Sequence, residues 1–365
     1  MIARSAIVSS TGAASVARSG QTRKRLGVGI VGCGVAAKVL HLPRLASLDG
    51  FEVQALCDRV PSRAASLARR YGVAQTTTDW RELVARDGVD VVAVCTRDHD
   101  EIAIGAIAAG RHVFVEKPIS LTPDGAKRIV EAAERNKRVL AVGYMKAFDP
   151  AFQAADRRIR AVSGLRLIRV HDFRGGAVAA SGAPPANADA SAVRALLGPN
   201  WKELGDSYLG LLMLGSHDLA MLRRLLGHAE EVEVSARLPH GGLLAMIRYG
   251  RSRRAVLELD RHTEYRWFDE VLSAYGENAS VELRLANPYR LDEGSRLTVR
   301  RCRAGSGSFT EHTVTYHADP FVTQWLHIYD CVVHGYRPVN DGPGAAEDVE
   351  LAEAIVRALP GVCSP

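Results

Sequence analysis

The sequence lacks the features that mark secreted, metal-binding and membrane-spanning proteins. Its six cysteines are scattered without a single CxxC pair, so neither a disulfide framework nor a zinc site is supported. His312 and His317 have no metal-ligand spacing, and we assign no metal site. No run reaches the roughly 18 apolar residues of a membrane helix. These absences favour a cytoplasmic protein without a membrane partner.

Strong charge of one sign is also missing from most of the chain. The formal net charge of +6 includes five basic residues that precede the first predicted strand with no acidic residue among them: Arg4, Arg18, Arg23, Lys24 and Arg25. Subtracting these five leaves +1 for residues 26–365, which argues against a nucleic-acid partner. Residues 1–25 contain no apolar run long enough for a signal peptide, and we expect a disordered basic leader.

The first third of the chain alternates short Val/Ile-rich runs with amphipathic stretches, as buried parallel strands and crossover helices do. We predict strands at 26–31, 52–57, 89–95, 112–115 and 139–142, and helices at 36–46, 61–70, 79–86, 100–109 and 122–136. This pattern predicts a doubly wound α/β domain over residues 26–146.

The rest of the chain, residues 147–365, has a different pattern. Strands are predicted without intervening helices at 231–237, 243–248, 255–260, 267–275, 280–285 and 311–316, which indicates a large, mainly antiparallel sheet. An extended run at 165–173 and helices at 150–161, 209–226, 321–333 and 346–359 complete an α/β domain. The Gly/Ala/Pro/Ser stretch at 175–192 is expected to be a functional lid or disordered.

A glycine turn follows the first strand, with the sequence Gly32-Cys33-Gly34-Val35-Ala36-Ala37. The first glycine permits a tight turn, the second lets the backbone approach a pyrophosphate, and the small Ala37 lets the next helix pack closely. The turn therefore predicts a Rossmann dinucleotide site. Asp58, after the second strand, suits the adenosine ribose hydroxyls and favours NAD, whereas the adjacent Arg59 could bind the 2′-phosphate of NADP.

Two further strand ends carry candidate site residues. Thr96, Arg97 and His99 follow the strand where the nicotinamide half of a dinucleotide is expected. The next strand ends in Glu116-Lys117-Pro118. With these motifs, and with Gly143–Pro150 and Leu214–Gly227, the chain resembles the Gfo/Idh/MocA oxidoreductase superfamily of glucose–fructose oxidoreductase, inositol dehydrogenase and rhizopine catabolism.

The resemblance implies hydride transfer at nicotinamide C4 and roles for several residues. Lys117 corresponds to the family lysine between cofactor and substrate, and a partly desolvated ammonium can exchange a proton with the reacting oxygen. Glu116 and Lys117 are expected to contact the cofactor, and Tyr144 and Lys146 the substrate. The open sheet of such proteins often forms an oligomer interface, so the resemblance implies a homodimer or homotetramer.

His217 corresponds to the family histidine, but the pattern around it departs from that of polyol dehydrogenases. Met213 and Ala220 stand where aspartates commonly lie, and Asp218 points about 100° away on a helix. Tyr208 and Asp218 remain the candidate substrate residues there. His217 is expected to assist catalysis, with a buried core histidine as the alternative.

These residues predict an oxidoreductase that uses NAD or NADP to interconvert a secondary alcohol and a ketone on a sugar, cyclitol or related metabolite. Two alternatives remain open. The fold could serve as a nucleotide sensor without turnover, which the missing aspartates favour. It could instead reduce a C=N or C=C bond, which the apolar Met213 and Ala220 would suit.

Overall fold

The computed structural model describes most of the chain. The described residues are 25–174, 190–238, 241–260, 267–290, 292–303, 305 and 307–361. The predicted leader, except for Arg25, and most of the predicted lid lie outside them.

A six-stranded parallel sheet forms the first half of the molecule. Its spatial order is β3-β2-β1-β4-β5-β6, built from β1 (Leu26–Val31), β2 (Phe51–Cys57), β3 (Gln75–Thr77), β4 (Val91–Val94), β5 (His112–Val115) and β6 (Leu140–Val142). The order confirms the doubly wound prediction. The sequence analysis missed β3, a three-residue strand with two exposed positions that lacks an apolar run.

Crossover helices cover this sheet at α1 (Leu42–Leu45), α2 (Pro61–Tyr71), α3 (Trp80–Val84), α4 (Asp100–Ala108) and α5 (Pro123–Asn136). The predicted helix at 36–46 is divided, since Ala36–His41 forms a π-helical segment before α1. Thr122 begins α5 as predicted, because its side chain accepts a hydrogen bond from the Gly125 amide at 3.1 Å.

An eight-stranded sheet forms the second half, in the order β14-β13-β12-β11-β7-β10-β9-β8. Its strands are β7 (Leu167–Arg174), β8 (Glu231–Arg237), β9 (Leu243–Tyr249), β10 (Arg253–Asp260), β11 (Phe268–Tyr275), β12 (Ala279–Arg284), β13 (Ser295–Cys302) and β14 (Phe309–Tyr316). All pairs are antiparallel except β7 with β10, which confirms the mainly antiparallel sheet. The sequence analysis missed β13.

The helices of the second half are α6 (Pro150–Arg160), α7 (Ala190–Leu197), α8 (Trp201–Gly210), α9 (Ser216–Leu226), α10 (Pro320–His334) and α11 (Gly342–Arg357). Short 3₁₀ turns lie at Met145–Phe148 and Gly198–Asn200. A π-helical turn, Leu211–Gly215, interrupts the single helix predicted for 209–226. Within the described ranges, no helix is long and apolar enough to cross a bilayer.

The last two helices return to the first sheet. Trp325 and Ile328 of α10 share a buried cluster with Leu26, Val28 and Ile30 of β1. Helix α11 packs against α5. The predicted boundary at residue 146 therefore separates the two sheets, but the C-terminal helices complete the core on the first sheet's side.

Candidate active site

The glycine turn has the shape that a dinucleotide requires. Gly32 adopts φ +96°, and a Cβ there would lie 2.9 Å from the carbonyl carbon of Cys95, so a larger residue would be strained and would clash. Gly34 is exposed, and a Cβ on it would have no neighbouring atom within 4 Å. The space beside Gly34, at the start of the Ala36–His41 helical segment, can receive a diphosphate. The turn therefore fits NAD(P).

The other residues predicted for this turn differ in burial, and the Cys33 side chain has a structural role. Ala37 is fully buried and Val35 is exposed. The Cys33 thiol donates to the Cys57 carbonyl at 3.7 Å, and burial, followed by the charge of Asp58, raises the pKa of Cys33 to about 12. Cys33 is therefore an inert structural thiol at physiological pH.

Asp58 locks the end of β2 to the glycine turn. One carboxylate oxygen accepts from the Cys33 amide and the other from the Val60 amide, both at 2.8 Å. Each oxygen keeps a lone pair for a ribose hydroxyl, so the ribose role stays a prediction. Arg59 beside it is exposed.

The buried side chain of His99 stabilises the loop after β4. His99 is buried, and its ring nitrogens lie 2.7 Å from the Thr96 carbonyl and 2.9 Å from the Ile119 carbonyl. His99 thus ties this loop to the chain after Lys117, while Thr96 and Arg97 remain partly exposed. The predicted cofactor contacts of these three residues stay predictions.

Lys117 leaves the end of β5 and reaches the second half of the chain. Its Nζ donates to the Met213 carbonyl at 2.5 Å. Met213 lies in the π-helical turn, a conformation frequently found at functional sites. At a position where polyol dehydrogenases commonly have an aspartate, the backbone carbonyl of this chain accepts the lysine hydrogen bond.

The electrostatic surroundings of Lys117 suit proton exchange. Burial, followed by the nearby charge of Arg174, lowers its pKa to about 8, against the opposing charge of Glu116. At pH 7 roughly one molecule in ten then carries the free amine, compared with well under one in a thousand for an exposed lysine. The amine can therefore take a proton from an alcohol near neutral pH.

His217 lies at the start of α9 and is 6 % exposed. Its ring meets the Tyr144 ring edge-on, with centroids 5.8 Å apart, and its Nδ1 has no partner among the described residues. Burial, followed by the charges of Lys146, Lys117 and Arg174, lowers its pKa well below the ordinary value. The imidazole is therefore neutral at physiological pH, where it can assist by hydrogen bonding but is a poor proton acceptor.

Three buried carboxylates form the floor behind these residues: Asp172, Asp218 and Glu270, with oxygens within 4.8 Å of one another. Asp172 and Glu270 are directly opposite in the β7–β11 register. Two negative charges at directly opposite positions repel each other, so nearby positive charges are needed to stabilise them.

Two cations compensate the floor. Lys146 is 4 % exposed and donates to both oxygens of Glu270. Nε and Nη2 of Arg174 donate to the two carboxylate oxygens of Asp172. The same Nη2 lies 3.7 Å from Oε2 of Glu270. Lys146 is thus fixed by an internal partner, and its predicted substrate contact stays a prediction.

Asp218 is the carboxylate of this floor with neither cation bound to it. It is fully buried, and neither of its oxygens has a hydrogen-bond partner among the described residues. Burial, followed by the charge of Glu270, raises its pKa well above the ordinary value. This shift favours the neutral acid form of Asp218, which can donate a hydrogen bond.

The two predicted tyrosines are both buried. The Tyr208 hydroxyl donates to the Leu121 carbonyl at 3.0 Å. This hydrogen bond holds α8 against the chain that follows Lys117. Tyr144 presents its ring to His217 as described above. Their substrate contacts stay predictions.

Sequence reasoning assigned no site role to Asp172, Glu270 or Arg174. Asp172 lies in β7, which largely coincides with the extended run predicted at 165–173. Glu270 had a signal, because it shares the period-two apolar face of β11 with Leu272 and Ala274. Arg174 had none, since only the register of β7 brings it to the site.

Comparisons with known proteins agree with this geometry. Residues 26–144 match the model of an oxidoreductase family described as having an NAD-binding Rossmann fold, Gfo/Idh/MocA. Inositol 2-dehydrogenase of Salmonella typhimurium is 35 % identical over 132 residues, 35 % of this chain and 39 % of that protein. Inositol 2-dehydrogenase 2 of Saccharopolyspora erythraea is 29 % identical over 64 % of this chain and 63 % of its own length. The alignments thus span between two fifths and two thirds of these relatives.

Solved structures share the fold over nearly the whole chain. A levoglucosan dehydrogenase in complex with NADH and levoglucosan has a TM-score of 0.76 at 19 % identity, covering 92 % of this chain and 97 % of that one. A 3-ketoreductase from Actinomadura kijaniata in complex with NADP and TDP-benzene has a TM-score of 0.73 at 18 % identity, covering 94 % and 100 %. Residues 26–144 are thus similar to the NAD-binding Rossmann domain of the Gfo/Idh/MocA oxidoreductase family, and the solved structures share the fold of both sheets.

Proposed function

We propose that the protein is an NAD(P)-dependent oxidoreductase that interconverts a secondary alcohol and a ketone on a sugar or cyclitol. The observation that carries the proposal is Lys117, whose pKa burial lowers to about 8 and which follows β5 at the same edge of the parallel sheet as the glycine turn after β1. The relatives named as inositol dehydrogenases and the neighbour named as a levoglucosan dehydrogenase support this substrate class.

Lys117 would carry the proton. A bound nicotinamide would supply the hydride acceptor for oxidation or the hydride donor for reduction. In the oxidative direction the Lys117 amine takes the hydroxyl proton, and in the reductive direction its ammonium returns one. The Met213 carbonyl holds Nζ in place, and neutral His217 assists by hydrogen bonding to the same substrate oxygen.

Asp218 and Tyr144, whose ring contacts that of His217, would orient the rest of the substrate. A neutral carboxylic acid both donates and accepts, which suits a hydroxyl group next to the reacting carbon. Lys146 and Arg174 hold the other two carboxylates and keep the floor rigid. This arrangement favours a polyhydroxylated substrate over an apolar one.

NAD is the proposed cofactor in preference to NADP. The two Asp58 oxygens can each still accept a ribose hydroxyl, and their negative charge opposes a 2′-phosphate. Arg59 is the residue that would favour NADP. Titration with both reduced cofactors, followed by fluorescence, distinguishes them, and tighter NADPH binding would reverse the preference.

A homo-oligomer through the second sheet is also proposed. Edge strand β14 is exposed along most of its length, and Tyr275, Phe309 and Val314 are large apolar side chains left exposed on the sheet. Exposed apolar side chains on an unpaired edge favour contact with another copy. Light scattering should report a dimer or tetramer that Phe309→Glu weakens, and a monomer at micromolar concentration would contradict this.

Replacement of Lys117 by Met tests the proposed chemistry. We expect cofactor affinity within about three-fold of wild type and a loss of turnover of about 10²- to 10⁴-fold, the usual contribution of a positioned acid–base group. Lys202→Met is the matched control, since Lys202 is exposed on α8. Full activity in Lys117→Met would refute the assignment. Tight NADH binding by wild type without turnover on inositols, aminocyclitols and nucleotide sugars would favour the sensor alternative.

A further inference from the structure

A buried histidine outside the carboxylate floor connects three parts of the molecule. His41 ends the helical segment that starts at the glycine turn, and it is fully buried. Its ring packs edge-on against Phe114, Phe321 and Trp325, with centroids 5.1, 6.1 and 5.8 Å away. Its Nε2 lies 2.7 Å from a carboxylate oxygen of Glu116, the residue before Lys117.

The partners of His41 fix its tautomer. The indole nitrogen of Trp325 can only donate, and it lies 3.2 Å from His41 Nδ1, so Nδ1 must be the acceptor. The ring hydrogen therefore sits on Nε2 and is donated to Glu116. A proton on both nitrogens would set two donors against each other at Trp325. The chain of bonds thus has one direction, from Trp325 through His41 to Glu116.

The absence of a side chain at Gly143 makes room for the Glu116 carboxylate. A Cβ on Gly143 would lie 3.0 Å from Oε1 of Glu116. Its side chain is 15 % exposed. The negative charge held there acts on Lys117 and opposes the lowering of the lysine pKa by burial, Arg174 and Lys146.

Helix α10, which supplies the indole, is also tied to α1, the helix that directly follows His41. Arg44 donates to Asp319 at 2.8 Å, and the other oxygen of Asp319 accepts from the amide of Phe321 in the first turn of α10. Trp325 is on α10, one turn after Phe321. Docking of α10 therefore decides whether the indole reaches His41.

We propose that His41 and Trp325 are positioning residues, which hold the Glu116 carboxylate beside Lys117 and thereby make the ionisation of the catalytic lysine depend on docking of α10. Neither residue touches the reacting atoms. Without the indole donor, His41 can present a lone pair to Glu116 and repel it, or take a second proton and neutralise its charge. Both outcomes weaken the field of Glu116 at Lys117 and favour the free amine.

The test measures the ionisation of Lys117 without substrate or cofactor. The full-length variants are labelled briefly with acetic anhydride over a range of pH, and mass spectrometry gives the rate at Lys117. Glu116→Gln should raise that rate at pH 7 roughly three- to six-fold, since removing a neighbouring negative charge lowers the pKa of an ammonium. Trp325→Phe, which keeps an aromatic ring, should raise it by a smaller factor.

The double variant separates positioning from general loosening of the fold. In Trp325→Phe combined with Glu116→Gln, the rate should equal that of Glu116→Gln alone, because the indole acts through the carboxylate. His41→Phe gives the same comparison by a second route if Trp325→Phe does not fold. Trp80→Phe, at the start of α3, is the control and should label as wild type does.

An unchanged labelling rate in folded Trp325→Phe and His41→Phe, or additive effects in the double variant, would overturn the inference. Since the readout needs no turnover, its failure is distinct from failure of the proposed function. A wild-type protein without dehydrogenase activity would leave the labelling result interpretable.

Discussion

The pair formed by Lys146 and Glu270 offers the sharpest test of the charge balance at the site floor. Replacing Lys146 by Met keeps a long apolar side chain and removes one of the two cations there. Glu270 is then left fully buried with Arg174 at 3.7 Å and with Asp172 and Asp218 nearby. Loss of one partner of a buried pair usually costs about 3–5 kcal/mol.

We therefore expect Lys146→Met to lose about 3–5 kcal/mol of unfolding free energy at pH 7, because Glu270 loses the cation that donates to both of its oxygens.

Urea unfolding at pH 7, followed by tryptophan fluorescence, gives the free energy of unfolding of each variant. Lys202→Met, at an exposed position of α8, is the control and should change stability by less than about 0.5 kcal/mol. Lys146→Met combined with Glu270→Leu should recover most of the loss, since it removes both charges. A loss of unfolding free energy below about 1 kcal/mol at pH 7 would refute the reasoning.

Three further predictions concern the cofactor turn and the lysine. Gly34→Ala should leave the melting temperature unchanged, because the added Cβ meets open space. The same variant should weaken NADH binding by about ten-fold or more in a fluorescence titration, because the Cβ occupies the space proposed for the diphosphate. Unchanged binding would place the diphosphate elsewhere. Gly32→Ala should instead cost about 1–3 kcal/mol of stability in thermal melts, given its φ of +96°. The rate of alcohol oxidation should rise with pH and reach half its maximum near pH 8, where Lys117 loses its proton, and ketone reduction should fall over the same range; a flat profile in both directions would exclude Lys117 as the acid–base group.

The first sheet could be predicted from the sequence because its strands are continuous apolar runs. β1 (Leu26–Val31) and β5 (His112–Val115) have the predicted boundaries, and the glycine turn and Lys117 follow directly from where those strands end. β3 could not be predicted, since a three-residue strand with two exposed positions carries no periodic signal. The local sequence pattern therefore predicts a strand correctly where the strand is buried and its residues form a continuous apolar run.

The floor of the site could not be predicted, because it depends on register. Asp172 and Glu270 are almost 100 residues apart in sequence and become neighbours only through the pairing of β7 with β11. The contact of Lys117 with the Met213 carbonyl depends on a π-helical turn that side-chain patterns do not reveal. The absent aspartates at Met213 and Ala220 were visible, but what replaces them required the structure.

Transfer of deuterium from a cofactor labelled at C4 of the nicotinamide tests the central claim most directly. The wild-type protein is incubated with the labelled reduced cofactor and a panel of keto-inositols and keto-sugars, and products are examined by mass spectrometry. We predict one deuterium on the carbon that was the ketone, in wild type and Lys202→Met and not in Lys117→Met. Saturating cofactor binding by wild type with no labelled product from any member of the panel would contradict the account.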